Sequence, residues 1–228
     1  MGGATSKRIG LFLLLFGVPL IFLMVLSRGD TEYNGLKFYA KNITDSGRIK
    51  VNDFLFYDVD SNAITKESLE GKSIIITTLI PSCPAACPIL SKQLGEYIYN
   101  PILHETRLKD FIIVSQLIDT NGNQVDLASF IKEQPVNAEK WKIVTGPQEN
   151  PLYDFDLPNA KLNQDSPKDN VIGGKTYYKM ILLIDKNHYL RGIYQGDKTP
   201  ELKRLQQEIK VLEREYKEEL EKNKEVNI

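Results

Sequence analysis

Two apolar runs decide most of what this chain can be. "SIIITTLI", Ser73–Ile80, and "DFIIVSQLI", Asp110–Ile118, are continuous and rich in β-branched residues. A strand with one wet face alternates polar and apolar side chains, whereas a short unbroken run is a strand buried on both faces. The elements around them follow from local pattern. "FLFYDV", "DSN" and "AIT" read as a hairpin, and "LKFYA" as a candidate first strand. "ILSKQLGEYIYNPIL" has helical spacing, "DLASFIKEQ" reads as a short helix, and "KWKIVTG" as a third strand ending at Gly146. Residues 147–174 are rich in Pro, Asn, Asp and Gly and read as a long surface loop. "YKMILLID", "KN" and "HYLRGIYQG" form a hairpin with a tight polar turn. The last segment is a helix, with Thr199 as its cap and Pro200 at its first position. Its apolar stripe is Leu202, Leu205, Ile209, Leu212, Tyr216 and Leu220. The first half of that stripe suits a sheet, and the charged second half suits solvent or a coiled-coil seam.

Strands alternate with helices and are closed by an antiparallel hairpin and a final helix, which is the thioredoxin arrangement. The predicted fold is therefore α/β: one thioredoxin-like domain, a mixed sheet with flanking helices, ending in a long C-terminal helix. The length of 228 residues suits one domain plus extras or two small ones. The formal net charge of −1 leaves no electrostatic footprint for nucleic acid.

In front of this domain, Ile9–Ser27 runs "IGLFLLLFGVPLIFLMVLS" without a charge. A bilayer core takes about 20 apolar residues in a helix, and Pro19 is tolerated there. A cleaved signal peptide is the alternative, but no small-x-small site follows the run. Lys7 and Arg8 precede it, which orients the N-terminus toward the cytoplasm. The expected organisation is a short cytoplasmic tail (1–8), a transmembrane anchor (9–27), a linker (28–52), the thioredoxin-like domain (53–222) and a tail (223–228). The expected location is a single-pass membrane protein with its C-terminal domain extracytoplasmic, on the periplasmic side in a bacterium.

The chain has two cysteines, Cys83 and Cys87, in "IPSCPAACPIL" directly after the first buried strand. They stand where a helix opens, with Pro84 fitting its first position. Free N–H groups and the positive end of the helix dipole favour a thiolate there. Residues four apart on a helix lie about 5–6 Å apart at Cβ, and a disulfide needs about 3.8 Å. The pair can close with some bending, which Pro88 permits by removing a helical hydrogen bond. Two close thiolates also form a soft seat that selects Cu(I), whereas structural zinc wants four ligands. His104 and His188, the only histidines, have no local pairing with the cysteines. A plain staple is the bland alternative, yet so short a loop constrains the unfolded chain little.

"SCPAACP" after an apolar strand resembles the CxxxCP signature of the Sco/SenC family, membrane-anchored thioredoxin-fold proteins of cytochrome oxidase assembly. "DVDSNAITKESLEGKSIIITTLIPSCPAACPIL" looks like that family's hairpin, "GK" strand and metal motif. "LIDTNG", "EKWKIVTG" and "ILLIDKNHYLRGIYQG" resemble its later segments. The resemblance implies copper held by Cys83, Cys87 and a histidine ahead of the late hairpin. That third position falls at Tyr177, in "GGKTYYKM", and a phenol with a pKa near 10 is a poor copper ligand. The resemblance implies a cytochrome oxidase subunit, or another thiol or copper protein, as partner, with the membrane as a second contact. The site residues are then Cys83 and Cys87, as redox dithiol and as copper ligands with the third ligand missing.

Four functions compete at this point. One is a Sco-like factor acting by copper delivery or thiol reduction. Another is a metal-independent thiol–disulfide oxidoreductase. A non-catalytic binding domain with a structural disulfide is a third. A peroxiredoxin-like peroxidase is the fourth, but Thr78 stands five residues before Cys83, too far for that chemistry.

Overall fold

The computed structural model describes residues 13–21, 35–42, 45–79, 92–117, 139–146, 171–172, 175–176 and 180–226. The chain divides into two compact units, Met1–Asn34 and Gly35–Ile228. In the first, a π-helical turn at Leu13–Gly17 continues as α-helix to residue 21. Leu14, Leu15, Phe16, Val18, Leu20 and Ile21 are all exposed. Among the described residues no helix is long and apolar enough to cross a membrane. The Ile9–Ser27 run is described only over 13–21.

The second unit opens with two hairpins: β1 (Ala40–Asn42) with β2 (Asp45–Arg48), then β3 (Leu55–Tyr57) with β4 (Ala63–Thr65). The first buried run forms β5 (Ser73–Leu79). After it comes α1, with π geometry over Gly95–Tyr99 and α-helix over Asn100–His104. The second run is β6 (Phe111–Leu117), and the third strand is β7 (Trp141–Val144). A two-stranded sheet of β8 (Val171–Ile172) and β9 (Lys175–Thr176) falls in and just after the stretch read as loop. The late hairpin is β10 (Met180–Ile184) with β11 (Leu190–Gln195), and α2 (Thr199–Val226) ends the chain's described part.

The central sheet has five strands in the order β11-β10-β5-β6-β7. β5, β6 and β7 run parallel, and β10 is antiparallel to both of its neighbours. This is the mixed, thioredoxin-like sheet expected. Its two-sided burial follows from the period of two along a strand. Ile75, Leu79, Ile113, Leu117, Ile181 and Leu183 pack in one cluster with Leu94, Ile98 and Ile102 of the α1 segment and with Leu202, Leu205, Ile209, Leu212 and Tyr216 of α2. Ile74, Ile76, Ile112, Val114, Leu182 and Ile184 face the other cluster, with Ile49, Val51, Phe54, Phe56, Ile64 and Leu69. Each such side chain contributes roughly 1.5–3 kcal/mol when fully buried. Both runs lack polar alternation because both faces are covered.

The helical stripe behaves as the docking reading expects. Leu202 to Tyr216 are buried, whereas Leu220 is 61% exposed. The start of α2 differs slightly: the Lys198 carbonyl accepts from the Glu201 and Leu202 amides, and the Thr199 hydroxyl accepts from Gln93 Nε2 at 3.3 Å. The domain also begins earlier than residue 53. Ile49 and Val51 are 2% and 3% exposed, Ile49 N–H donates to the Tyr39 carbonyl, and Leu190 N–H donates to the Ile49 carbonyl. Residues 35–52 are thus not a free linker, because they pair along the edge of β11. At the other end α2 continues to Val226 rather than stopping at Lys222.

A clasp of buried charge explains why that early segment stays in place. The register of β10 with β11 shifts between Leu183 and Ile184, so Arg191 falls at the irregularity. A bulge of this kind re-aims a side chain. Arg191 Nη1 reaches Asp185 Oδ2 at 3.1 Å, with both side chains 2% exposed. Its Nη2 reaches Glu215 Oε1 at 2.7 Å and the Leu36 carbonyl at 2.7 Å. Leu36 N–H donates back to Glu215 Oε2 at 3.3 Å. A Cβ on Gly35 would meet the Glu215 carboxylate at 3.0 Å, so a side chain there would press on the clasp. Asp185 Oδ1 accepts from the amides of Asn187 and Tyr189, both at 2.9 Å, and so also closes the hairpin turn. His188 takes φ 65° in that turn.

Candidate functional site

The carboxyl ends of parallel strands are where open α/β sheets bind ligands. Here β5 and β6 end in register, Leu79 opposite Leu117. β10 is antiparallel to them, so its first residues lie at the same end, with Leu182 opposite Ile76. Helix α2 begins there, and the described part of the α1 segment meets it through the Gln93–Thr199 hydrogen bond.

Cys83, Cys87 and their flanking prolines belong to residues 80–91, outside the described residues, and so does Tyr177. "DLASFIKEQ" and most of "LIDTNG" also fall outside them. What the structure describes is the platform that segment joins. Residue 80 leaves the carboxyl end of β5, and residue 92 enters the helix beside it. Both attachments are firm: Leu79 is 2% exposed and Leu94 is 0% exposed.

The platform carries a feature that sequence reading missed. Thr77, Thr78, Ser115 and Gln116 are polar side chains no more than 2% exposed, on the last turns of pleat of two adjacent strands. Register pairs Thr77 with Ser115 and Thr78 with Gln116. Burying a hydroxyl costs free energy unless it is hydrogen-bonded. Ser115 Oγ accepts from Trp141 Nε1 at 2.8 Å, and Trp141 packs on Tyr99 with ring centroids 5.4 Å apart. The Thr77 hydroxyl reaches the Thr78 carbonyl at 3.5 Å. The row is neutral. The sequence held a trace of it: both apolar runs carry a polar dipeptide at the same place, Thr77-Thr78 and Ser115-Gln116, and in-register parallel pairing puts those dipeptides side by side.

The two histidines are far apart in role. His104 ends α1, and His188 is in the turn at the opposite end of the sheet from the β5 exit. Among the described residues no group of three or more His, Cys, Asp or Glu side chains could hold a metal ion.

Fold and platform together define a thioredoxin-like protein with its cysteine pair following the first parallel strand. Comparison with known proteins narrows the class. No family model matches the chain. A curated relative, the "SCO1 protein homolog" of Bacillus subtilis, is 24% identical over 146 residues, covering 61% of this chain and 72% of the relative. A solved SCO1/SenC family lipoprotein from Bacillus anthracis superposes with a TM-score of 0.54 at 20% identity, over 72% of this chain and 95% of that one. BsSco, a member of the Sco family of cytochrome c oxidase assembly proteins in which a disulfide switch was identified, superposes with a TM-score of 0.51 at 16% identity, over 75% and 97%. The resemblance read from "SCPAACP" is thus met by Sco/SenC proteins both in sequence and in fold.

Proposed function

We propose that this chain is a membrane-anchored Sco/SenC-like protein acting in assembly of the copper centre of cytochrome c oxidase. It works through the Cys83/Cys87 dithiol, by copper delivery or by thiol reduction. The observation that carries this reading is that β5, whose last residues carry a buried neutral row, runs on in sequence directly into the CxxxC segment. With no buried charge in that row, a thiolate there depends on the helix start for its stabilisation. The similarity to Sco proteins supplies the pathway. The exposed apolar helix at 13–21 supports the anchor, since a helix apolar on all sides belongs in a core or a membrane. The domain is then extracytoplasmic, where a disulfide can persist. The partner is an oxidase subunit or another thiol or copper protein.

A second reading is a metal-independent thiol–disulfide oxidoreductase, and one residue favours it. Tyr177 stands where the resemblance calls for histidine, and a neutral phenol serves copper poorly. A Cu(I) titration of the fully reduced chain separates the two. Copper delivery predicts one Cu(I) per chain, lost in Cys83→Ser and Cys87→Ser, and tightened in Tyr177→His. Absence of cysteine-dependent binding, with the dithiol still cycling, would leave the oxidoreductase.

A further inference from the structure

The amino end of the sheet carries a second surface. Ile49 and Val51 point into the core, so Arg48 and Lys50, alternating with them, face outward and are exposed. The Arg48 guanidinium lies 3.7 Å from the Phe38 ring centroid, and the Arg191 guanidinium lies 3.9 Å from the same ring. Lys50 Nζ is 4.7 Å from the centroid of Tyr189, whose ring meets Phe38 edge-on at 5.8 Å. Lys37 is exposed beside Phe38 in the chain. Among the described residues, Lys37, Arg48 and Lys50 have no ion-pair partner. The neighbouring cations differ: Lys72 and Lys186 both pair with Asp110, at 3.1 and 3.4 Å. Aromatic stacking holds Arg48 and Lys50 in place, and none of the described carboxylates pairs with them.

Chain length says which anion is within reach. The uncharged run ends at Ser27, and Leu36 is already held by Arg191 and Glu215. The eight residues between, 28 to 35, span at most about 29 Å. We propose that Lys37, Arg48 and Lys50, with the rings of Phe38 and Tyr189, form a face that takes the phosphates of anionic phospholipid. Basic side chains close to a bilayer are drawn to anionic headgroups, and amphipathic rings settle at that level. The inference rests on the anchor reading of Ile9–Ser27. Its consequence is directional. The chain runs on into the cysteine segment from the opposite end of β5, a seven-residue strand roughly 20 Å long, so that end of the sheet is turned away from the bilayer.

The test uses the full chain with two kinds of lipid nanodisc, phosphatidylcholine alone and phosphatidylcholine with phosphatidylglycerol. An amine-reactive label is read by mass spectrometry at Lys37 and Lys50, with Lys92 and Lys142 as distant references. The expected result is incorporation into both discs, with labelling of Lys37 and Lys50 at least about threefold lower in the anionic ones. About 0.5 M salt should restore it, because screening then acts within a few ångström. Arg48→Glu with Lys50→Glu, both exposed positions, should abolish the lipid difference at Lys37. Incorporation with equal labelling in both discs would overturn the proposal and leave this face to a protein partner. Retention by anionic discs only, with Lys37 and Lys50 protected, would refute the anchor while upholding the face. Retention by neither would refute both.

Discussion

The two ends of the central sheet solve the burial of polar groups in opposite ways. The amino end pairs its full charges: the buried Arg191 with buried Asp185 and half-buried Glu215, and, nearer the surface, Asp110 with Lys72 and Lys186. Tyr216 joins that end too, its hydroxyl 3.2 Å from Ser73 Oγ and accepting from the Lys186 amide at 2.9 Å. Among the described residues, the polar groups buried at the carboxyl end are neutral: Thr77, Thr78, Ser115 and Gln116, on β5 just before the cysteine segment and on its neighbour β6. Paired charge fixes geometry, since an ion moved from its partner loses both attraction and solvation. Neutral hydroxyls and an amide constrain less and add no net charge. The amino end therefore locks chain segments together, and the carboxyl end shows no such charge lock among the described residues.

The sharpest break is at Arg191. Arg191→Met leaves Asp185 buried without its cation, and losing one member of such a pair costs about 3–5 kcal/mol. Denaturant unfolding should show that loss, while the alkylation rate of Cys83 in the folded protein should stay within about twofold. A thiol rate that fell with stability would mean that the two ends are coupled.

The carboxyl end should respond more mildly. Ser115→Ala removes the acceptor of Trp141 Nε1, and a buried donor left unpaired costs about 1–3 kcal/mol. The tryptophan fluorescence should shift with it, because the indole N–H loses its partner. Tyr216→Phe, at the amino end, removes a hydrogen bond worth about 1 kcal/mol from the Lys186 amide and should not affect the indole.

Acid titration gives the smallest and most specific signal. The Asp110 carboxyl is held below its usual range; burial acts to raise it, but hydrogen bonding to Lys72 and the charges of Lys186 and Lys72 outweigh that. Its contribution is present above the unfolded pKa, near 4, and is lost as pH falls through the depressed folded value. Glu213 runs the other way. Burial raises it, with Asp110 adding in the same direction and the charge of Lys186 opposing. Its contribution is complete below the unfolded pKa and is lost as pH rises through the folded one. Glu213→Gln should therefore raise the thermal midpoint at pH 7 and leave it nearly unchanged near pH 4, whereas Asp110→Asn should lower it at pH 7. Equal effects of Glu213→Gln at both pH values would contradict the assignment.

This division was half legible in the sequence. The β5 and β6 runs were readable because two-sided burial removes polar alternation, and α2 was readable because Leu202, Leu205, Ile209, Leu212 and Tyr216 keep the helical period. Cys83 and Cys87 announced themselves by spacing and by their prolines. The clasp was not legible. Arg191 sits in "HYLRGIYQG", where alternation does not mark it as inward, and a register shift turns it. Its partners are Leu36, 155 residues away, and Glu215, 24 away, and no local period encodes such pairs. Residues 35–52 read as linker for a similar reason: Ile49 and Val51 alone are too short an alternation to announce an edge pairing. The neutral row was hidden because its four residues lie inside runs that read as apolar.

The central claim is that the carboxyl end carries a reactive, reversible dithiol. It is tested most directly by equilibrating the full chain in glutathione buffers of graded potential, trapping with an alkylating mass tag and locating the tags by mass spectrometry. The account predicts a single two-electron transition in which Cys83 and Cys87 gain and lose their tags together, with Cys83 the faster to react when reduced. Cysteines that stay fully tagged across the range, or a disulfide that no buffer opens, would contradict it.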